Sequence, residues 1–236
     1  MAQNKNSTVK KILSACVVLV LIPLTAWLGV WLFADRKYNI ISIGVALLSC
    51  VPFFIRFEKG KSGSREMVII AVMTSLSVIG RLIFTPIPAF KPVSAIVIIT
   101  GTALGPEAGF MVGSLSAIVS NIFFGQGPWT PFQMFVWGFI GFFAGAVFRK
   151  SKKPNKIAMS LMGVIGGMLF SLMMDIWTTL SIDGTFIWTR YLASVAASFP
   201  VMTIYAVSNV IFLLILARPF LEKLNRIKIK YCVFDS

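Results

Sequence analysis

The residues able to do chemistry in this sequence are few. Histidine is absent from all 236 residues, which excludes Ser-His and Cys-His dyads and any histidine-bearing metal site. Asp175 lies within an apolar segment, where a carboxylate is costly and usually has a partner or a function. Asp183 falls in the loop Ile182-Asp-Gly-Thr185, so we interpret it as a turn residue and not as half of a catalytic aspartyl pair.

Other enzymatic signatures are also missing from the sequence. Cys16, Cys50 and Cys232 have no metal-ligand spacing, and we interpret all three as reduced and structural. The sequence contains no Gly-x-x-x-x-Gly-Lys-Ser/Thr, so no P-loop for ATP is present. We therefore expect a protein that is not an enzyme and has no cofactor or metal.

Two short stretches favour binding instead. Residues 84–92 and 124–132 are rich in Pro and Gly, and each mixes aromatic rings with a few hydrogen-bonding groups. That composition is typical of the lip of a ligand pocket. Aromatic rings are also common at the headgroup level of any membrane protein, but the prolines favour stiff, shaped loops, so we predict a substrate lid.

Composition places these stretches in a membrane protein. Hydrophobic residues make up 57% of the chain and charged residues only 13%, which is too little polar surface for a soluble domain. The net charge of +14 is distributed between apolar segments, so it indicates orientation in a membrane and not nucleic-acid binding. We expect a multi-pass protein of a bacterial plasma membrane.

Eight apolar segments follow one another along the chain. They cover about 12–34, 39–55, 66–83, 92–104, 107–124, 130–148, 157–181 and 189–217, and the fourth is short for a lone span. The first is longer than the core of a signal peptide, which predicts a retained helix. With both termini in the cytoplasm, 17 of the 22 basic residues fall inside, as the positive-inside rule requires.

The polar stretch at 57–65 is the best internal boundary. It divides the chain into an N-terminal transmembrane hairpin, residues 1–56, and a six-helix core, residues 66–218, followed by a basic cytoplasmic tail at 219–236. The hairpin has no polar residue deep in either span, so we interpret it as a lipid-facing addition. The predicted fold class is therefore an all-α integral membrane protein with eight spans.

Residues four apart lie on one face of a helix, and several such faces in the core share a direction. Four such faces, one on each of four helices, carry these residues: Gly109, Gly113, Ala117 and Asn121; Gln133, Trp137, Gly141 and Gly145; Gly163, Gly167, Ser171 and Asp175; and Arg190, Ser194 and Ser198. In three of the four the cytoplasmic half is small, and small residues let helices approach closely in lipid. Any one stripe alone is ordinary helix packing, but their common direction predicts a bundle that is tight inside and open outside.

An open outer end forms a cup under the two loops. We predict that its substrate contacts come from Phe84, Phe90, Lys91, Asn121, Gln126, Trp129, Gln133, Trp137, Asp175 and Arg190. Asp175 and Arg190 have a second interpretation, as a structural ion pair near the interface. On the first core helix Ala71 and Ser75 form a small-xxx-small pair, which serves either packing within the chain or docking of another membrane protein.

Residues 66–217 resemble the S component, the substrate-binding membrane subunit, of energy-coupling factor (ECF) vitamin transporters. The resemblance rests on Ala71-xxx-Ser75, where the family usually has alanine at the second position, on Lys91-Pro-Val-Ser followed by Ala103-Leu-Gly-Pro-Glu, and on Asn121 to Gln133. It implies a vitamin binder with no ATPase of its own, which works with a transmembrane T subunit and two ABC ATPases. It also implies that Ala71 and Ser75 contact the T subunit and that the loaded subunit topples in the bilayer.

The substrate is less well defined than the family. The stretch from Gly125 to Gln133 is similar to S components linked to cobalamin, so a corrinoid or its building block is the first expectation. Riboflavin, biotin, queuosine or another flat nitrogen heterocycle suits an aromatic cup equally well. A stand-alone secondary transporter or facilitator is the alternative function, although the two halves show no convincing internal repeat.

Overall fold

The computed structural model describes residues 63–148, 154–183 and 186–234, with positions 12, 13, 16–21, 23, 24 and 48. In the N-terminal region it gives a short π-helical segment, Val17–Leu21. The hairpin predicted at 1–56, apart from the positions just given, and residues 57–62 of the linker predicted at 57–65 lie outside the described residues. Residues 63–65 of that linker are instead helical and begin the first core helix. The roles of the hairpin and the linker therefore stay predictions.

The core is built from six helices, and the described part of the chain contains no strand. They are α1 (Gly63–Ile83), α2 (Val93–Leu104), α3 (Pro106–Phe124), α4 (Thr130–Phe148), α5 (Lys156–Asp183) and α6 (Trp188–Tyr231). All helices except α2 are long and apolar enough to cross a bilayer. The prediction of an all-helical, multi-pass core is confirmed; the number of spans in the whole chain and the side on which the termini lie stay predictions.

Helix α2 is the short fourth segment, and it lies inside the protein. It has 12 residues, and all of them except Thr102 are buried. A helix of 12 residues rises about 18 Å, which is less than the hydrocarbon thickness of a bilayer, so it cannot span alone. Surrounding helices cover it instead, and its apolar side chains form the centre of the core.

Close backbone contacts join α2, α3 and α4 at the end of the bundle farther from residues 84–92. A Cβ atom built on Gly101 or Gly109 would lie 2.1 or 2.5 Å from the carbonyl oxygen of Gly141, closer than real atoms approach. One on Gly145 would lie 2.6 Å from the backbone nitrogen of Pro106. These contacts define what we call the glycine end, and they confirm the close approach that the glycine stripes predicted.

The opposite end carries the turns at residues 84–92 and 125–129, and we call it the loop end. Arg81 near the end of α1 contacts Asn121 near the end of α3, and Asn121 contacts Thr130 at the start of α4. The two lid candidates therefore lie at the same end of the bundle.

The last helix is longer than its apolar segment predicted. It has 44 residues, or about 66 Å at the usual rise, which is about twice the thickness of the bilayer core. The helix continues past Arg218 through Pro219, and the good helix formers Leu221, Glu222 and Lys223 follow this proline. Past its end, the backbone nitrogen of Phe234 donates to the carboxylate of Glu66 in α1.

The glycine contacts predict a sharp difference between two substitutions. Gly141→Ala should lower the thermal unfolding midpoint in detergent by several degrees, corresponding to about 1–3 kcal/mol, because the new methyl group meets the backbone of Gly109. Gly166→Ala is the matched control, since its methyl group would meet side-chain atoms and no backbone: methyl groups of Ile98 and Ile140 at 3.3 Å, and Asn209 Nδ2 at 3.9 Å. Equal midpoints for the two variants would contradict this packing.

Candidate functional site

A buried arginine organises the loop end. The Arg81 side chain is only 8% exposed, and its Nη1 atom donates to Asn121 Oδ1 at 2.8 Å and to the hydroxyl of Ser120. Its guanidinium carbon also lies 4.5 Å from the ring centroid of Phe124 and 5.0 Å from that of Trp137. Neutral acceptors and aromatic faces thus stabilise a cation that lipid would exclude.

Asn121 connects this arginine to the start of α4. Its carbonyl oxygen accepts from Arg81, while its Nδ2 atom donates to Thr130 Oγ1 at 3.0 Å and to Gln133 Oε1 at 2.9 Å. An amide has one acceptor group and two N–H donors, so both N–H groups are used. This network brings together two residues that the sequence predicted as substrate contacts, Asn121 and Gln133.

Three aromatic rings lie beside the network. The rings of Trp137 and Phe170 stack at 5.1 Å with an interplanar angle of 15°. Tyr205 meets Phe170 edge to face at 4.9 Å. Flat, nearly parallel faces of this kind are suited to an aromatic ligand ring.

A small cavity opens between these groups. Its volume is about 30 Å³. It is lined by Arg81, Lys91, Val93, Ser94, Gln133, Trp137, Phe170 and Tyr205. Drug-sized ligands usually occupy a few hundred cubic ångströms, so a vitamin enters only if the lining side chains move apart.

Lys91 contributes a second cation to the lining. Its Nζ atom lies 5.1 Å from the ring centroid of Phe124, the ring that Arg81 also contacts. Burial, and then repulsion from Arg81, lower the pKa of the Lys91 amine below its ordinary value. The backbone carbonyl of Lys91 accepts from Ser208 Oγ at 3.2 Å, which attaches this loop to α6.

The aromatic residues of the first loop form a cluster of their own. Phe84 and Phe90 lie 5.9 Å apart, and both contact Phe212 of α6, at 5.0 and 5.1 Å between ring centroids. Ala89 between them has a positive φ of 59°, a conformation that costs energy for a residue with a side chain. The structure therefore packs the predicted contacts Phe84 and Phe90 against α6, beside the lining of the cavity and not in it.

The second loop is held by contacts with α3 and by contacts within the loop. Gln126 Nε2 donates to the carbonyl of Ile118 at 2.8 Å. Trp129 covers Gly127 so closely that a Cβ atom on this glycine would lie 2.3 Å from the indole ring. Gln126 and Trp129 do not line the cavity, and whether they contact substrate stays a prediction.

Asp175 and Arg190 lie apart from the cavity lining. The Asp175 carboxylate accepts from Ser198 Oγ at 2.6 Å, so the partner that the structure assigns to it is a hydroxyl group. Ser171 Oγ donates to the same serine at 3.4 Å. Arg190 is exposed near the start of α6. Among the described residues, no group of three or more Cys, Asp or Glu is placed to hold a metal ion.

The predicted docking pair lies on the outer surface of α1. Ala71 and Ser75 are both exposed, and Ser75 Oγ donates to the carbonyl of Ala71 at 2.9 Å, which keeps its hydroxyl against the helix. Val68 and Val72 on the same surface are 62% and 51% exposed. This surface is apolar and is not covered by the described helices.

Five of the eight residues that line the cavity were not among the predicted substrate contacts. They are Arg81, Val93, Ser94, Phe170 and Tyr205. An arginine before the end of an apolar segment is itself a signal, because such a cation needs a function or a partner. Phe170 and Tyr205 carry no comparable signal, because aromatic residues are common in membrane helices.

The family model described as the S component of the ECF-type riboflavin transporter matches residues 61–226. This chain belongs to that family. The S component is a transporter subunit, and the family is not one of enzymes. A search of curated proteins and a search of solved structures gave no match. The match confirms the resemblance to ECF S components and does not support the cobalamin-related group.

The network around Asn121 predicts a loss of stability when its amide is removed from the S component. Asn121→Leu should lower the free energy of unfolding by about 1–3 kcal/mol, since Arg81 and Gln133 each lose a buried partner. Thermal unfolding in detergent measures the change. Thr203→Val is the control, because this exposed hydroxyl bonds only to its own helix at Phe199. A midpoint unchanged in both variants would contradict the network.

Proposed function

We propose that this chain is the substrate-binding subunit of an ECF importer and that it takes up riboflavin or a closely related flavin. The observation that carries the proposal is the cavity at the loop end, where Trp137, Phe170 and Tyr205 converge with Gln133 and two cations. A few polar groups among aromatic walls are the usual composition of a small-molecule site. The family match supports this choice of substrate class, because the description of the family names riboflavin.

The shape of the site favours a flat heterocycle over a corrinoid. The ring planes of Trp137 and Phe170 differ by only 15°, and the two rings stack on each other at 5.1 Å between centroids, so a ligand ring does not enter between them. A flat isoalloxazine ring needs only a small separation of the lining side chains to pack against this stacked pair. A corrinoid is broader in every direction and would require the helices themselves to separate. Its binding is therefore the outcome that would exclude a flavin site.

The cavity would open by movement of the two loops and α6. The first loop contacts α6 through Ser208 and the Phe212 ring. Movement of this loop with α6 would separate Lys91 and Tyr205 from Trp137 without disturbing the glycine end. We propose that residues 84–92 and 124–132 act as the lid over the bound vitamin.

The uncovered surface of α1 is the proposed contact with the partner subunits of the importer. We propose that Ala71 and Ser75 dock on the T subunit, whose complex with two ABC ATPases supplies the energy for import. Small residues let a partner helix approach the backbone closely, and the intrahelical bond of Ser75 leaves its surface nearly as apolar as that of alanine. The loaded subunit then topples and carries its site from the outer face of the membrane to the inner face.

Binding should depend on Trp137 more than on Trp129. Trp137→Ala should weaken riboflavin affinity by about 1–3 kcal/mol, because this ring lines the cavity. Trp129→Ala should have a smaller effect, since that ring rests on Gly127 and is 38% exposed. Quenching of riboflavin fluorescence by the purified protein measures both affinities. Equal losses in the two variants, or none in either, would place the site elsewhere.

A substitution on the proposed docking surface should abolish uptake without changing riboflavin binding. Ala71→Trp should leave riboflavin affinity unchanged and abolish uptake into proteoliposomes that contain the complete ECF complex. Ala196→Trp on α6 is the control, since it adds the same side chain at another exposed alanine. Uptake that persists in the Ala71 variant would rule out this docking surface. Uptake by the chain without partners would show a stand-alone carrier instead.

A further inference from the structure

The cavity has a charge imbalance that a neutral vitamin does not explain. Arg81 and Lys91 both line it, and no carboxylate does so among the residues that the structure describes. The carboxylates of Glu66, Asp175 and Glu222 bond instead to Phe234, Ser198 and Arg218, respectively. Two cations thus face one narrow space with no opposite charge beside them, which is an expensive arrangement in a bundle of apolar helices.

The contacts of Arg81 leave part of its guanidinium for a ligand. Both of its hydrogen bonds start from Nη1, and their acceptors are the neutral groups of Ser120 and Asn121. A guanidinium has five N–H donors, so Nε and Nη2 retain three that no described residue accepts. These donors form a planar fork that fits two oxygens of a phosphate or a carboxylate. Because Asn121 holds the opposite side, the fork is already oriented before a ligand arrives.

The position of Lys91 adds a second contact to the same anion. Its amine and the Arg81 guanidinium lie near one ring, that of Phe124, at 5.1 and 4.5 Å from the ring centroid. The face of an aromatic ring compensates a cation only in part. A group with nearly two negative charges would compensate both cations, and a phosphate monoester has that charge at neutral pH.

We infer that this S component prefers a phosphorylated flavin, with the phosphate monoester between Arg81 and Lys91 and the isoalloxazine ring against Trp137 and Tyr205. The inference rests on the proposed flavin site and specifies its substrate as flavin mononucleotide in preference to riboflavin. Gln133 lies on the lining beside Trp137 and supplies hydrogen bonds for the polar edge of the ring.

The test compares the two flavins on the purified full-length chain in nonionic detergent. Quenching of flavin fluorescence gives each dissociation constant at low and at high salt. We expect flavin mononucleotide to bind at least about tenfold more tightly than riboflavin at low salt, the size of one charge-assisted contact. Salt should reduce this ratio, because screening weakens attraction to the anion and leaves the ring contacts unchanged.

Two variants and one control locate the effect. Lys91→Gln should remove most of the preference for the phosphate, measured as the ratio of the two dissociation constants, while the loop is still held through the backbone of Lys91. Arg81→Lys keeps the charge but loses the fork, and it should also reduce the preference. Arg226→Gln, at an exposed position of α6, removes one cation away from the cavity and should change neither constant.

Each outcome has a distinct meaning. If riboflavin binds as tightly as flavin mononucleotide or more tightly, the phosphate inference is wrong and the proposed flavin site stands. A preference for the phosphate that survives both Lys91→Gln and Arg81→Lys would also overturn the inference, because another part of the chain would hold the anion. If neither flavin binds, the proposed function fails and this inference fails with it.

Discussion

The burial of one guanidinium constrains the whole loop end of this protein. Arg81 cannot face lipid, so α1 must present it to α3, where Ser120 and Asn121 accept its hydrogen bonds. Asn121 in turn bonds to Thr130 and Gln133 and so fixes where α4 begins. The position of Trp137, one turn further along α4, follows from this register. The polar network and the aromatic wall of the site are therefore consequences of the same buried cation.

The glycine end makes the polar site possible at the loop end. Backbone contact between Gly109 and Gly141 holds α3 and α4 close together where nothing needs to bind. This close approach continues as far as Gly113, where a Cβ atom would meet the backbone of Trp137. Nearer the loop end the same two helices carry Asn121 and Gln133, whose side chains need space between the backbones. Small residues in one half of each helix and large or polar residues in the other half thus build stability and binding into separate regions.

Much of this architecture was predictable from local sequence. The bounds of α1 to α5 follow the apolar segments. The shared direction of the glycine stripes correctly predicted close packing at the end away from the two loops, because small residues act through simple spacing; that this end is cytoplasmic stays a prediction. The contacts of Arg81 with α3 and of Phe212 with the first loop were not predictable, since they join residues far apart in the chain. Tyr205 lines the cavity only because of how α6 packs against the other helices, and no local sequence pattern predicts that packing. The corrinoid expectation had no support from the family match, since similar loop residues do not define a ligand.

An experimental structure of the full-length chain with a bound flavin would decide directly whether this cavity is the substrate site. We expect an isoalloxazine ring in van der Waals contact with Trp137 and Tyr205, with Gln133 at its polar edge and the glycine end unchanged. We also expect a wider cavity, reached by movement of residues 84–92 with α6. A flavin bound beside Asp175 and Ser198, or on the exposed surface of α1, would contradict the assignment of this cavity as the substrate site.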